Sequence, residues 1–388
     1  MSASHTEKSK HKSLPIAELF AHPMANYFIL LGATLLLLSL GLVMVTSASS
    51  VFSYELTGSS YSLSIRQFMF AVVGVIAMWR VSNMSIKTMR KLVYPIMFFA
   101  LGTLIAVLVI GSSVNGQKNW IELFGPFRFQ PSEFAKLAVV IYAADLLARK
   151  YDKLDQVRHL MIPLVPLYAI IIFLILAEGD LGTAMVIMPI MMAGLYFAGA
   201  PAKWFGGVFA VGVLAIAGLT VWKPYRMERF ISWLHPGADP QGIGFQVTHG
   251  QRALGSGGLW GAGLGGSKEK WGTLPEAHTD FIYAVVGEEL GLLGTISVLV
   301  LFVAIVVTGI RVARLANDPF IQLASLGVVA WLATQMMVNI GAVLGILPIT
   351  GVPLPLVSYG GSSLVPTLVA LGMLMAFAKP DSEPTTSS

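Results

Sequence analysis

Stretches of about 20 mostly apolar residues, the length a helix needs to cross a hydrocarbon core of about 30 Å, recur along this chain from end to end. They fall near 26–47, 65–80, 92–111, 131–148, 162–177, 181–199, 203–222, 280–310, 321–346 and 354–378. In lipid every backbone polar group must be satisfied without water, which a helix does within a single segment. The expected fold is therefore all-α and integral to the membrane: a ten-transmembrane-helix bundle occupying 26–378, with a tail at 1–25 and another at 379–388. Composition agrees, because a chain of 388 residues that is 55% hydrophobic and only 12% charged is too apolar for one soluble core. The first tail carries Lys8, Lys10 and Lys12 among Ser, His and Thr and has no apolar h-region, so it reads as a cytoplasmic tail and not a signal peptide. Cysteine is absent, which excludes disulfides, thiolate metal sites and cysteine nucleophiles.

Charge sets the expected orientation. Arg80, Lys87, Arg90, Lys91, Arg149, Lys150, Lys153, Arg158, Lys203, Arg311, Arg314 and Lys379 all fall on one side if the N-terminus is cytoplasmic, whereas the short loops opposite carry only Arg66, Lys118 and Arg128. Both termini are thus expected inside. The long loop 223–279, between the seventh and eighth helices, is expected outside. No internal repeat is evident, which weakens a transporter reading.

Against this apolar background each ionisable residue near a span calls for a reason. Asp280, where the long loop meets the eighth span, is the leading candidate. A helix beginning there would place Tyr283, Ala284 and Gly287 beneath it. Those small residues suit either close packing of a neighbouring helix, with Asp280 a simple N-cap, or a groove leading from the acid towards a lipid tail. Glu288 and Glu289 lie two turns deeper and cannot share one site with Asp280; a structural partnership with a basic or hydroxyl group on another helix is expected. Arg128 precedes Pro131, a residue suited to the first helical position. Glu133 and Lys136 share a face, fit for an internal ion pair or for holding a phosphate, with Arg128 as a second contact. The tight turn Glu178–Gly179–Asp180 is expected to keep both acids near the outer surface, Asp180 capping the sixth span. His278 would tune the acid or bind substrate, or simply be a solvated loop histidine.

Several other features read as scaffold. Pro353–Ser363 opens the tenth span with hydroxyls and glycines that suit packing or cavity lining, and it lacks the spacing of a nucleophile elbow. Met227, Phe230, Ile231 and Leu234 oppose Arg226, Glu228, Arg229 and Ser232 at helical spacing, the mark of an interfacial amphipathic helix. Gly261, Gly263 and Gly266 spell G-x-G-x-x-G without strand–helix context, so a nucleotide-binding loop is not expected; their amides could at most meet an anion. The seven histidines are scattered with no zinc-binding spacing.

Taken together, Val45–Ser49, Val114–Trp120, Gln130–Lys136, Gly179–Thr183, Pro275–Phe281, Gly287–Gly291 and Leu356–Ser363 resemble the SEDS family of membrane glycosyltransferases, which polymerise peptidoglycan from lipid II. The match covers nearly the whole membrane region. Met44–Ser49, Ala277 and Gly287 look more like the family's cell-division branch than its elongation branch. The resemblance implies an inverting transfer between undecaprenyl-linked disaccharides, with Asp280 as the catalytic base taking the proton from the acceptor hydroxyl. It also implies a substrate cavity lined by Glu133, Lys136 and Asp180, with Lys136 as the natural phosphate contact. Implied partners are a class B penicillin-binding protein (a transpeptidase), other division proteins and membrane lipid; no nucleic acid is expected. A divalent cation, Mg or Mn, could assist the base. One departure is that the family usually has proline where this chain has Gly179, with Glu178 adding a charge beside it. A precursor flippase and a nonenzymatic division scaffold are the rival readings.

Overall fold

A computed structural model describes residues 22–114, 117–124, 127–151, 157–199, 224–235 and 243–380, with isolated positions between 201 and 218. The helices are α1 (Ala25–Thr57), α2 (Ser62–Ser82), α3 (Ile86–Ile110), α4 (Pro131–Arg149), α5 (Val157–Ala177), α6 (Leu181–Phe197), α7 (Pro224–Leu234), α8 (Ile243–Ser256), α9 (Ile282–Leu315), α10 (Pro319–Val343) and α11 (Gly361–Phe377). Of these α1, α2, α3, α9 and α10 are long and apolar enough to cross a membrane alone, and Leu164–Ala177, α6 and α11 are shorter apolar helices. Most of the seventh expected window, 203–222, and most of both tails lie outside the described residues. Large apolar side chains such as Phe68, Trp79 and Phe98 point outward, the reverse of a water-soluble bundle.

Local chemistry explains the helix starts. Pro131 and Pro319 occupy first-turn positions where no N–H is needed. Asp180 caps α6 by accepting from the Thr183 amide at 2.9 Å, and Asp318 caps α10 by accepting from the Phe320 amide at 2.8 Å. The ends of α1, α3, α5 and α10 gather with the starts of α2, α4, α6, α9 and α11 at one end of the bundle, which holds Asp280.

Three expectations need correction. The fold is not all-α: β1 (Ser112–Val114), β2 (Gln117–Phe124) and β3 (Phe127–Phe129) form an antiparallel sheet in the order β1-β2-β3 between α3 and α4. The tenth span does not begin at 354, since Gly351–Gly360 is non-helical and α11 starts at Gly361; Pro353 and Pro355 disfavour helix in this stretch. The eighth begins at Ile282 with Phe281 at its cap position, so Asp280 sits one residue before the cap.

Within α9 the helix breaks at Gly291 (φ 67°, ψ −164°), a conformation open essentially to glycine alone. The glycine-rich loop after α8 fills the break with its own backbone. Leu292 and Leu293 donate to the Gly258 and Leu259 carbonyls, at 2.9 and 3.4 Å, while Ala262 and Gly263 donate to those of Glu288 and Glu289, at 2.8 and 3.0 Å. These amides therefore bond protein, not an anion. In α7, Phe230, Ile231 and Leu234 are exposed, as is Glu228, while Ser232 is buried, so these apolar side chains are not turned into the protein.

Candidate active site

Gly351–Gly360 is the strand of backbone on which the site is assembled. Asn339 of α10 donates from Nδ2 to the main-chain oxygens of both Asp280 and Val352, each at 2.8 Å. One turn earlier, Gln335 donates to the Pro353 carbonyl at 2.9 Å. Ser358 donates to the Thr279 carbonyl at 2.6 Å, the Tyr359 amide to the His278 carbonyl at 2.9 Å, and Gln67 of α2 to the Ser358 carbonyl at 3.1 Å. The half-buried Asp280 carboxylate lies against Gly351, where a Cβ would come within 3.6 Å of Oδ2. Asp280 is thus held through its backbone by α10 and the Gly351–Gly360 segment, which leaves its placement independent of any helix cap.

Lys136 and Glu133 form an ion pair, one of the two readings of their spacing, with Nζ to Oε1 at 2.7 Å and both residues buried. Lys136 also donates to Gln335 Oε1 at 2.9 Å and lies 5.5 Å from the Trp331 ring centroid. Gln335 therefore touches the lysine with its oxygen and the Asp280-bearing scaffold with its nitrogen, linking the two through one side chain.

Glu178 and Asp180 are not at the surface, because the turn folds under the sheet: the Lys118 amide donates to the Glu178 carbonyl at 3.0 Å. Asp180 is buried and accepts from Gln130 Nε2 (3.0 Å), Ser132 Oγ (3.0 Å) and Thr183 Oγ1 (2.8 Å) besides capping α6. Glu178 is 1% exposed, and neither carboxyl oxygen has a hydrogen-bond partner. Burial, reinforced by the negative charge of Asp180, pushes its pKa up to about 9.

Arg128 sits on β3 with its side chain half exposed, 3.6 Å from Glu122 across the sheet, while its carbonyl accepts from Ser362 at 3.1 Å. Arg66 of α2 reaches the same place, close to the Tyr359 hydroxyl; burial raises the Tyr359 pKa, and Arg66 and Arg128 together oppose that shift. His278 is buried between Phe52 and Tyr359, with ring centroids at 5.0 and 5.6 Å, in place of the solvated position. Burial lowers its pKa, with nearby Glu276 pulling the other way, so the imidazole is favoured in its neutral form.

Glu288 and Glu289 belong to the scaffold, as expected. Glu289 accepts from Ser47 of α1 at 2.6 Å and pairs with Lys270 at 3.3 Å, and Glu288 accepts from the Ser267 hydroxyl and from the Lys268 amide at 2.8 Å. The small-residue stripe below Asp280 is filled and is not a groove. A Cβ on Gly287 would strike Leu254, and one on Gly257 would strike the Gly287 carbonyl, so α8 and the loop after it pack directly on α9.

Arg66 and Tyr359 were passed over as site residues in the sequence, and so were Trp331, Gln335 and Asn339. The last three stand at i, i+4 and i+8, a polar stripe on one face of an apolar helix, and that spacing was the available signal. Among the described residues no three His, Asp or Glu side chains converge to hold a metal.

The chain matches the FtsW/RodA/SpoVE family, described as cell cycle proteins, over residues 27–383. It is 39% identical over 363 residues to the probable peptidoglycan glycosyltransferase FtsW of Mycobacterium tuberculosis, covering 93% of this chain and 69% of that protein. It is 40% identical over 345 residues to the stage V sporulation protein E of Bacillus subtilis, covering 88% and 94%. Among solved structures, a peptidoglycan synthase complex that coordinates polymerization and crosslinking superposes with a TM-score of 0.73 at 29% identity, covering 90% of this chain and 96% of that one. The rod shape determining protein RodA of Thermus thermophilus gives 0.66 at 27%, covering 90% and 95%. With the match running through nearly all of its length, the chain belongs to the FtsW/RodA/SpoVE family of cell cycle proteins.

Proposed function

We propose that this protein is a peptidoglycan glycosyltransferase that polymerises lipid II at the outer face of the cytoplasmic membrane during cell division. The observation that carries the reading is one buried polar stripe on α10 that joins the backbone of Asp280 to the side chain of Lys136, inside a fold shared with a peptidoglycan synthase. The topology we infer has ten spans and both termini inside. Arg80, Lys87, Arg90, Lys91, Arg149, Lys150, Arg311, Arg314 and Lys379 all belong to the end away from Asp280, which the positive-inside rule makes cytoplasmic.

In the proposed reaction Asp280 accepts the proton of the acceptor's 4-hydroxyl. The freed oxygen attacks the donor's anomeric carbon from the face opposite the pyrophosphate; the new carbon–oxygen bond forms as the old one breaks, and the undecaprenyl pyrophosphate departs with the electron pair. Arg128 and Arg66 at the rim supply positive charge for that leaving group, while Lys136, closed off between Glu133 and Gln335, adds its field from within the protein and not by contact. Asp180 and Glu133 fix this part of the site through the bonds they make to Gln130, Ser132 and Lys136. His278, favoured as neutral imidazole, can offer substrate one hydrogen bond without opposing Asp280. A divalent cation, were one used, would be held by the Asp280 carboxylate and would supply positive charge to the departing pyrophosphate; among the described residues no three acidic or histidine side chains converge to hold it.

A class B penicillin-binding protein is the proposed partner, with crosslinking the step that follows. The test is to give purified protein, together with that partner, lipid II in detergent and in vesicles. Glycan polymer is expected. Movement of lipid II across vesicles with no polymer would replace this reading with the flippase, and neither activity would favour the scaffold.

A further inference from the structure

The loop between α8 and α9 carries an apolar surface that catalysis does not use. Leu259, Trp260, Leu264 and Trp271 are all strongly exposed, Trp260 at 80%. This loop is fixed, not loose. Its backbone is bonded into the break of α9, Lys270 is buried against Glu289, and the Ser267 hydroxyl is bound to Glu288. The exposed side chains are therefore presented by an anchored scaffold.

Their height relative to the bilayer follows from α9. Beyond the break at Gly291 it runs from Leu292 to Leu315, about 36 Å at 1.5 Å per residue, which by itself crosses the roughly 30 Å of a hydrocarbon core. The part before the break, Ile282–Glu289, is buried throughout by protein and offers no apolar face to lipid. Beyond Gly291 a stripe opens outward through Leu293, Ile296, Val300, Val303 and Val307, as on a lipid-facing helix. The loop meets α9 where that stripe begins, with Leu259 bonded to Leu293. Its tryptophans thus continue the apolar band at the level where tryptophan prefers to lie, between hydrocarbon and headgroups.

Charge points the same way. Between Ile243 and Leu274 the exposed charges are Arg252 and Lys268, both basic. Glu269, the one acid there, is engaged by His249 at 2.7 Å. An outward face of tryptophan and leucine with one exposed cation, Lys268, matches the interfacial zone of a bilayer.

We propose that Leu259–Trp271 is a membrane-seated loop, docking on the phospholipid bilayer at the rim of the α9 stripe and fixing the height of the site end above the bilayer. This does not depend on what the site catalyses. Because the natural chain has no cysteine, Trp260→Cys and Leu264→Cys each give one unique position for a nitroxide label in vesicles containing phosphatidylglycerol. Both labels are expected to be accessible to oxygen and protected from a water-soluble nickel complex, approaching a reference label at Val300→Cys. Free access of nickel at both positions would overturn the proposal. Protection from both reagents would also overturn it, by showing that protein, a partner or a second copy, covers the face. As a check with less perturbation, Trp260→Phe and Trp271→Phe should each reduce quenching of the protein's fluorescence by brominated phospholipid; unchanged quenching in both would again contradict it.

Discussion

Lys136 is held by Glu133, Gln335 and the Trp331 ring in a space closed to solvent, so its removal strands a buried carboxylate. Lys136→Met should lower stability by about 3–5 kcal/mol, measured as thermal unfolding in detergent. Adding Glu133→Gln should restore most of that stability without restoring lipid II polymerisation; recovery of activity would show that the ammonium is structural only. Glu178 gives a pH prediction. Its folded pKa of about 9 lies above the ordinary carboxylate value of 4.5, so between those values the native state keeps a proton that the unfolded state releases. Stability should fall as pH rises through that window. Glu178→Gln should flatten the fall, and an unchanged pH–stability slope would show that the carboxyl is not held neutral. Asp280, Lys136, Glu133 and Asp180 were visible in the sequence because charge is rare among apolar spans. Their partners were less visible: Gln335, Asn339 and Ser132 are uncharged, and they act through main-chain oxygens or through residues far along the chain.

Among elements, α10 and the break in α9 are the informative pair. Asn339→Leu would leave the Asp280 and Val352 carbonyls without their shared donor, each at a penalty of about 1–3 kcal/mol if it stays buried. The polymerisation rate should drop while lipid II affinity is retained; an equal fall in both would mean that the whole site has collapsed. Gly291→Ala should destabilise by about 1–3 kcal/mol from backbone strain alone, with more from the collision of the new Cβ with Gly261 and Leu259. A mutant as stable as the parent in thermal unfolding would mean that the break is not required. Helix starts with local causes, Pro131 at α4 and Asp180 at α6, could be read directly from the chain. The break could not, because the carbonyls that satisfy Leu292 and Leu293 come from residues more than 30 positions earlier. The sheet between α3 and α4 was hidden by its brevity, its two outer strands having three residues each. At Gly351–Gly360 the prolines and glycines were present as signals, but the apolar composition outweighed them.

At the scale of the molecule, membrane character followed from apolar windows whose length matches a bilayer, a constraint local enough for sequence to carry. Assembly of the site did not, because it requires loop, helix and extended backbone to meet at one end of the bundle. That convergence gives the protein a simple division of labour: a lipid-facing exterior, a polar stripe on the enclosed α10, and a carboxylate held where the stripe reaches the rim. The most direct test of the carboxylate's role is polymer yield from lipid II for Asp280→Asn beside the parent, both with the transpeptidase partner and both shown to unfold at the same temperature. Loss of polymer with lipid II binding intact is the expected result; polymer made at the parental rate by Asp280→Asn would contradict the assignment of Asp280 as the base.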